Sequence, residues 1–185
     1  LILVVTEKND AAQQIARLLS ESGKPEADKV YNTPVYRFRC GGEDYVAIGL
    51  RGHILQPDFP LALKFDKEEG WYGETAEGKH LPADVPDGLE RPPYKVKRKP
   101  FMADGVDLKG WKIPSLPYLI WAPVDKQPAE KEIIRALKNL AKKAESVIIG
   151  TDFDREGELI GSDALAQVLS VNPNLAAFRA RYSAF

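Results

Sequence analysis

Val147-Ile148-Ile149-Gly150-Thr151-Asp152-Phe153-Asp154-Arg155-Glu156-Gly157-Glu158 runs from an unbroken apolar stretch straight into four carboxylates. The apolar half reads as a buried strand. After it, Ile160, Ala164 and Val168 fall on one line with Leu165 and Leu169 beside them, the stripe of a packed helix. The acids therefore stand where a strand ends and a helix begins. Like charges so close together repel, and a fold gains nothing from that. A hard divalent cation such as Mg²⁺ removes the conflict, because it takes carboxylate oxygens into an octahedral shell shared with water and substrate phosphate. The segment thus proposes a metal site for phosphodiester chemistry. The bland alternative is a solvated acidic loop. Glu156 would sit in the helix's first turn, where the dipole tolerates negative charge. Gly157 and Gly161, four apart, would share a face that permits close approach.

Working outward, Ile133, Ile134, Leu137, Leu140, Ala141 and Ala144 line one face of a preceding helix that begins near Glu130. On the far side, Phe178, Ala180 and Tyr182 alternate with Arg179 and Arg181, the pattern of a half-exposed strand. At the start of the chain, Leu1 to Val5 reads as a buried strand. Ala12, Ile15, Ala16 and Leu19 follow at helical spacing, with Asn9 or Asp10 as cap and Gly23 with Pro25 as stop. Val35 to Cys40 and Asp44 to Ile48, joined by Gly41-Gly42, form a hairpin. From about 56 to 117 the chain is rich in Pro and Gly and weak in periodicity, which suggests an irregular insertion with Trp71 and Trp111, like Trp121 beyond it, anchoring it to the core. The expected organisation is one domain over 1–185, with a core of about 1–55 and 118–185 and an insertion of about 56–117. The alternation of strands and helices predicts an α/β domain, a mainly parallel sheet between helices. Ligands gather at the carboxyl ends of such strands. Glu7 and Lys8 follow the first strand and Asp152 and Asp154 the later one, so neighbouring strands would place all four at one edge.

Bulk properties exclude little. The formal net charge of −1 does not advertise a nucleic-acid binder, so a basic surface must be local. The single cysteine, Cys40, cannot form an internal disulfide and reads as a small core residue in a reducing compartment. Leu1 to Val5 is too short for a signal or membrane segment. The first residue is not Met and the last lies in an apolar pattern, so the sequence reads as a fragment of something longer.

The residues from Asp152 to Glu158, continuing as Leu159-Ile160-Gly161, closely resemble the acidic Toprim motif of type IA DNA topoisomerases. Glu7-Lys8 after a hydrophobic strand resembles the second Toprim signature, in the form of topoisomerase III-like and archaeal members. Gly52-His53-Ile54 is similar to that family's Gly-His-hydrophobic element, and Arg179 to Phe185 to the strand leading out of the domain. The match is specific at 1–17, 49–55 and about 130–185 and loose across the insertion. The resemblance implies a Rossmann-like Toprim fold and Mg²⁺-dependent, ATP-independent cleavage of one DNA strand by a tyrosine, strand passage and religation. Glu7, Asp152, Asp154 and Glu156 then match the metal-associated acids. Glu7 also matches the proton-transferring acid beside the scissile phosphate, while Lys8 and Arg155 stabilise its charge. Glu158 matches a motif position or a supporting one. Lys8, His53, Arg155, Arg179 and Arg181 are the DNA-contact candidates. A turn histidine remains the alternative for His53, and the wet face of an edge strand for Arg179 and Arg181.

The implied partners are a single-stranded segment of supercoiled or catenated DNA and the remaining domains of the enzyme. The implied location is the cytoplasm, in association with the nucleoid. None of the seven tyrosines stands in the family's Tyr-Pro-Arg-like context, so the nucleophile is expected outside this sequence. A stand-alone Toprim nuclease, or a non-catalytic interaction module, are the competing readings. Arg91, Lys95, Lys97, Arg98 and Lys99 around Tyr94 and before Phe101 suit either single-stranded nucleic acid or a solvated loop, with the loop favoured.

Overall fold

In the computed structural model, residues 1–86, 88 and 106–182 are described. The elements run β1 (Ile2–Thr6), α1 (Asn9–Leu19), β2 (Glu26–Val30), β3 (Thr33–Cys40), β4 (Glu43–Gly49), β5 (Leu55–Asp58), β6 (Ala62–Asp66), β7 (Gly70–Glu74), β8 (His80–Pro82), β9 (Val106–Asp107), α2 (Leu116–Leu119), β10 (Asp125–Pro128), α3 (Lys131–Ala141), β11 (Ser146–Gly150), α4 (Arg155–Leu169) and β12 (Ala176–Arg179). The chain divides into two compact units, one of 1–56 with 128–185 and the other of 57–127.

The first unit is an α/β layer structure on a six-stranded sheet of order β12-β11-β1-β4-β3-β2. The strands β12, β11, β1 and β4 pair in parallel; β3 pairs antiparallel with β4 and β2 antiparallel with β3, so β3 alone runs against the others. Successive side chains of a strand point to opposite faces, so one strand can serve two cores. Leu3 and Val5 of β1, Val46 and Ile48 of β4 and Val147 and Ile149 of β11 pack with Ile133, Leu137 and Leu140 of α3 and Ile160, Ala164 and Val168 of α4. On the opposite face Val4, Tyr36, Phe38 and Ala47 pack with Ala12 and Ala16 of α1. Cys40 is half-buried against this second cluster. The mainly parallel, helix-flanked sheet expected from the sequence is therefore present, and the Gly41-Gly42 hairpin joins β3 to β4 at positive φ.

Three local expectations differ. The N-cap of α1 is Lys8, whose ammonium has no acceptor to cap with, and Asn9 instead bonds the Tyr36 hydroxyl, 3.0 Å away. The helix stops at Leu19, ahead of Gly23, with Ser20 donating back to Ala16 O. In β12 it is Phe178 that faces solvent, 60% exposed, while Arg179 turns inward.

The second unit corrects the expectation of an irregular insertion. It holds a four-stranded antiparallel sheet of order β8-β7-β6-β9. Leu63, Val106, Leu108, Tyr118 and Ala122 form its own core, with Trp71 packed against it. Trp71 thus anchors this unit's own cluster, and Trp111 is 65% exposed. Short strands such as Gly70–Glu74, with little apolar alternation, hide an antiparallel sheet from a periodicity reading. The basic and aromatic residues Arg91, Tyr94, Lys95, Lys97, Arg98, Lys99 and Phe101 lie outside the described residues.

Candidate active site at the sheet edge

The parallel register sets the site. Thr6 at the end of β1 is level with Gly49 of β4 and Gly150 of β11. Glu7, Leu50 and Thr151 therefore leave the sheet together at its carboxyl edge. Glycine is required here by close approach: a Cβ on Gly49 would meet the backbone N of Asn9 at 2.4 Å. The β4 exit is tied to β1 by Leu50 N donating to Thr6 O at 3.0 Å and Gly52 N to Glu7 O at 3.0 Å. Arg51 and Gly52 both take positive φ, 62° and 89°. For Arg51 this is a sparsely populated conformation of the kind that collects at functional loops. The turn delivers Ile54 to the core, wholly buried, and leaves His53 exposed.

Each motif acid has a distinct environment. Asp154 caps α4, its Oδ1 accepting from Gly157 N at 2.7 Å, as a carboxylate before a helix does. Glu156 Oε2 lies 2.8 Å from His53 Nε2, a contact between sequence positions that no local pattern links. Glu158 accepts from Arg179 at 2.8 Å, and the same guanidinium donates to Ile149 O and Asp152 O, each at 3.1 Å. Arg179 is thus a clasp between the β11 exit and α4. Arg181 lies over the Phe153 ring at 5.3 Å, and Lys8 and Arg155 are exposed. Thr151 is fully buried and donates to Gly157 O at 2.7 Å, fixing the turn between strand and helix.

That leaves Glu7 and Asp152. Oε2 of Glu7 is buried and meets no hydrogen-bond donor among the described residues. Such an atom is costly unless something else satisfies it. Tyr182 feels the charge of both acids. Its hydroxyl donates to Gly150 O at 2.8 Å. Burial first, and then the Asp152 carboxylate, with a smaller contribution from Glu7, push its phenol above the ordinary 10.0. The sign follows: stability from the neutral phenol is complete below pH 10.0 and is lost as pH rises through the higher folded value. Alkaline denaturation monitored at far-ultraviolet wavelengths should therefore begin earlier in the wild type than in Tyr182→Phe. Coincident curves would remove the phenol from this role.

Among the described residues no group of three or more His, Cys, Asp or Glu side chains is gathered to hold an ion alone. The donor chemistry still fits Mg²⁺, which is held by one or two carboxylates together with water and substrate phosphate. The unsatisfied Glu7 oxygen and the Asp152 carboxylate, which share Tyr182 as electrostatic neighbour, are the residues that fit it.

The sequence profile described as the Toprim domain matches residues 2–185. This chain belongs to the Toprim family. Its curated relatives are DNA-topology enzymes. DNA topoisomerase 1 of Archaeoglobus fulgidus is 31% identical over 98% of this chain and 20% of its own length. Reverse gyrase of Methanocaldococcus jannaschii is 28% identical over 94% of this chain and 10% of its own. Human DNA topoisomerase 3-alpha is 24% identical over 98% of this chain and 14% of its own. The Toprim chain thus spans a tenth to a fifth of the length of these three relatives. The resemblance drawn from Asp152–Glu158 and Glu7-Lys8 is borne out at the level of the family and its topoisomerase relatives. Toprim domains bind divalent metal; the inward clasp of Arg179 and the His53–Glu156 contact were beyond sequence reasoning, since both join partners far apart in the chain.

Proposed function

We propose that this chain is the Toprim part of a type IA DNA topoisomerase and supports Mg²⁺-dependent, ATP-independent cleavage, strand passage and religation of DNA. The carrying observation is the buried oxygen of Glu7, without a hydrogen-bond partner among the described residues, at the sheet edge that also bears Asp152. Mg²⁺ bound there would supply charge neutralisation and orientation of a phosphate. The chain's residues do the rest. Glu7 moves a proton to or from the 3′-oxygen at the break. Lys8, exposed beside it, stabilises charge on the scissile phosphate, with Arg155 in support. Asp154 and Glu156, held by the α4 cap and by His53, reinforce the negative field that attracts the cation. His53 and Arg181 face the strand backbone, and Arg179 holds the turn that presents Asp152. The setting is cytoplasmic and nucleoid-associated.

The attacking tyrosine lies in another part of the full enzyme, so the purified 185-residue chain is expected to bind Mg²⁺ without relaxing supercoiled plasmid. Plasmid relaxation by this chain alone would overturn the assignment. Mg²⁺-dependent nicking without covalent attachment would favour a nuclease with water as nucleophile. Absence of Mg²⁺ binding, with wild type matching Asp152→Asn/Asp154→Asn in titration, would leave a non-catalytic module.

A further inference from the structure

α1 carries more apolar surface than its core needs. Ala12 and Ala16 are fully buried in the sheet's second cluster. Beside that stripe runs a second row, Ala11, Ile15 and Leu18, at spacings of four and three residues that put them on one helix face. Ile15 is half-buried and Leu18 is 82% exposed. This row forms one wall of a cavity of about 490 Å³, whose other walls are Lys8, Asp10, Gln14, Asp152 and Tyr182. The Tyr182 ring is fixed by its hydroxyl on Gly150 O, and Gly150 has no side chain to displace it. The cavity therefore joins an ammonium at the phosphate edge, flanked by the Asp10 and Asp152 carboxylates, with a pinned aromatic ring, an aliphatic wall and an amide, within a volume suited to a small ligand.

We propose that this cavity is a nucleoside subsite that takes the base adjoining the phosphate held at Lys8, stacked on Tyr182 and covered by Ile15 and Leu18. A base offers a π-face to the ring and a polar edge to Gln14. Stacking tolerates every base, whereas the amide introduces a preference. The inference rests on the reading of Glu7, Lys8 and Asp152 as a phosphodiester site, and it adds the flanking nucleoside to it.

Thymidine 3′,5′-bisphosphate and inorganic phosphate, each titrated with Mg²⁺ into the ¹⁵N-labelled chain, separate the two. Both should shift the Lys8 amide. Only the nucleotide should shift Gln14, Ile15 and Leu18 and move the Tyr182 ring protons upfield. Leu18→Glu, at an exposed position that leaves the fold intact, should weaken nucleotide binding by about tenfold and leave phosphate binding unchanged. Nucleotide shifts confined to Lys8, or equal nucleotide affinity in Leu18→Glu, overturn the subsite and leave the phosphodiester reading standing. Silence of Lys8 with both ligands overturns both.

Discussion

Gly157→Ala is expected to destabilise the first unit by about 3 kcal/mol or more, the upper range for overpacking a buried site. The opposite sign would follow from helix propensity alone, since alanine is favoured over glycine inside a helix by up to about 1 kcal/mol. Sterics decide. A Cβ at 157 would lie 2.0 Å from Asp152 O and 2.7 Å from Asp152 C. Those are backbone atoms, so no side chain can swing aside. Nor can the turn drift, because it is pinned by Thr151 on Gly157 O, by Gly157 N on Asp154 and by Arg179 on Asp152 O. Either the bonds break or α4 shifts from the sheet. Urea denaturation should show the loss directly. An unchanged midpoint would mean that the turn is not held as tightly as its bonds indicate. Divalent-cation affinity should fall with stability, since the displaced carbonyl belongs to Asp152.

Why that turn could be located from sequence, while its wiring could not, comes down to the range of the forces involved. The β11–α4 boundary is encoded within a dozen residues by an apolar run, an N-capping Asp and a helical stripe. The same holds for β1 and α1, and parallel pairing of β1 with β11 then brings Glu7 and Asp152 to one edge without further information. By contrast, β2 reads Glu26-Ala27-Asp28-Lys29-Val30 and is almost wholly exposed, so no core face marks it. It is held by pairing with β3 and by the Arg37–Asp28 ion pair. Arg179 was open to being a solvent-facing DNA contact because alternation predicts which residues share a face, not which face is wet. Its planar fork matches carbonyls and a carboxylate that only the folded edge assembles. The sheet of the second unit escaped for a related reason: Gly70, Gly73 and the prolines near it break the pattern that periodicity requires, while cross-strand pairing replaces it.

Glu7→Gln should separate function from stability. In the wild type the Glu7 carboxylate keeps one buried oxygen without a donor among the described residues. An unsatisfied buried acceptor costs about 1–3 kcal/mol, and more when charged. A site retained for packing would not keep such an atom, so its neutral isostere should match or exceed the wild type in metal-free thermal stability. Cation binding should behave in the opposite way. A ligand that binds only the folded chain stabilises it by about 2.7 kcal/mol at a hundredfold excess over its dissociation constant. For a chain of this size that raises the melting temperature by roughly 5–10 °C. Saturating Mg²⁺ should produce this rise in wild type and lose it in Glu7→Gln and Asp152→Asn. Differential scanning calorimetry with and without Mg²⁺ reads both quantities in one experiment. Should Glu7→Gln melt several degrees lower without metal, Glu7 is a structural residue and the proton-transfer role fails. Should it keep the full Mg²⁺ shift, the cation is held by the α4 acids without Glu7. A variant that is stable without the ion and indifferent to it would identify the Glu7 carboxylate as a group kept for the charge it meets in function.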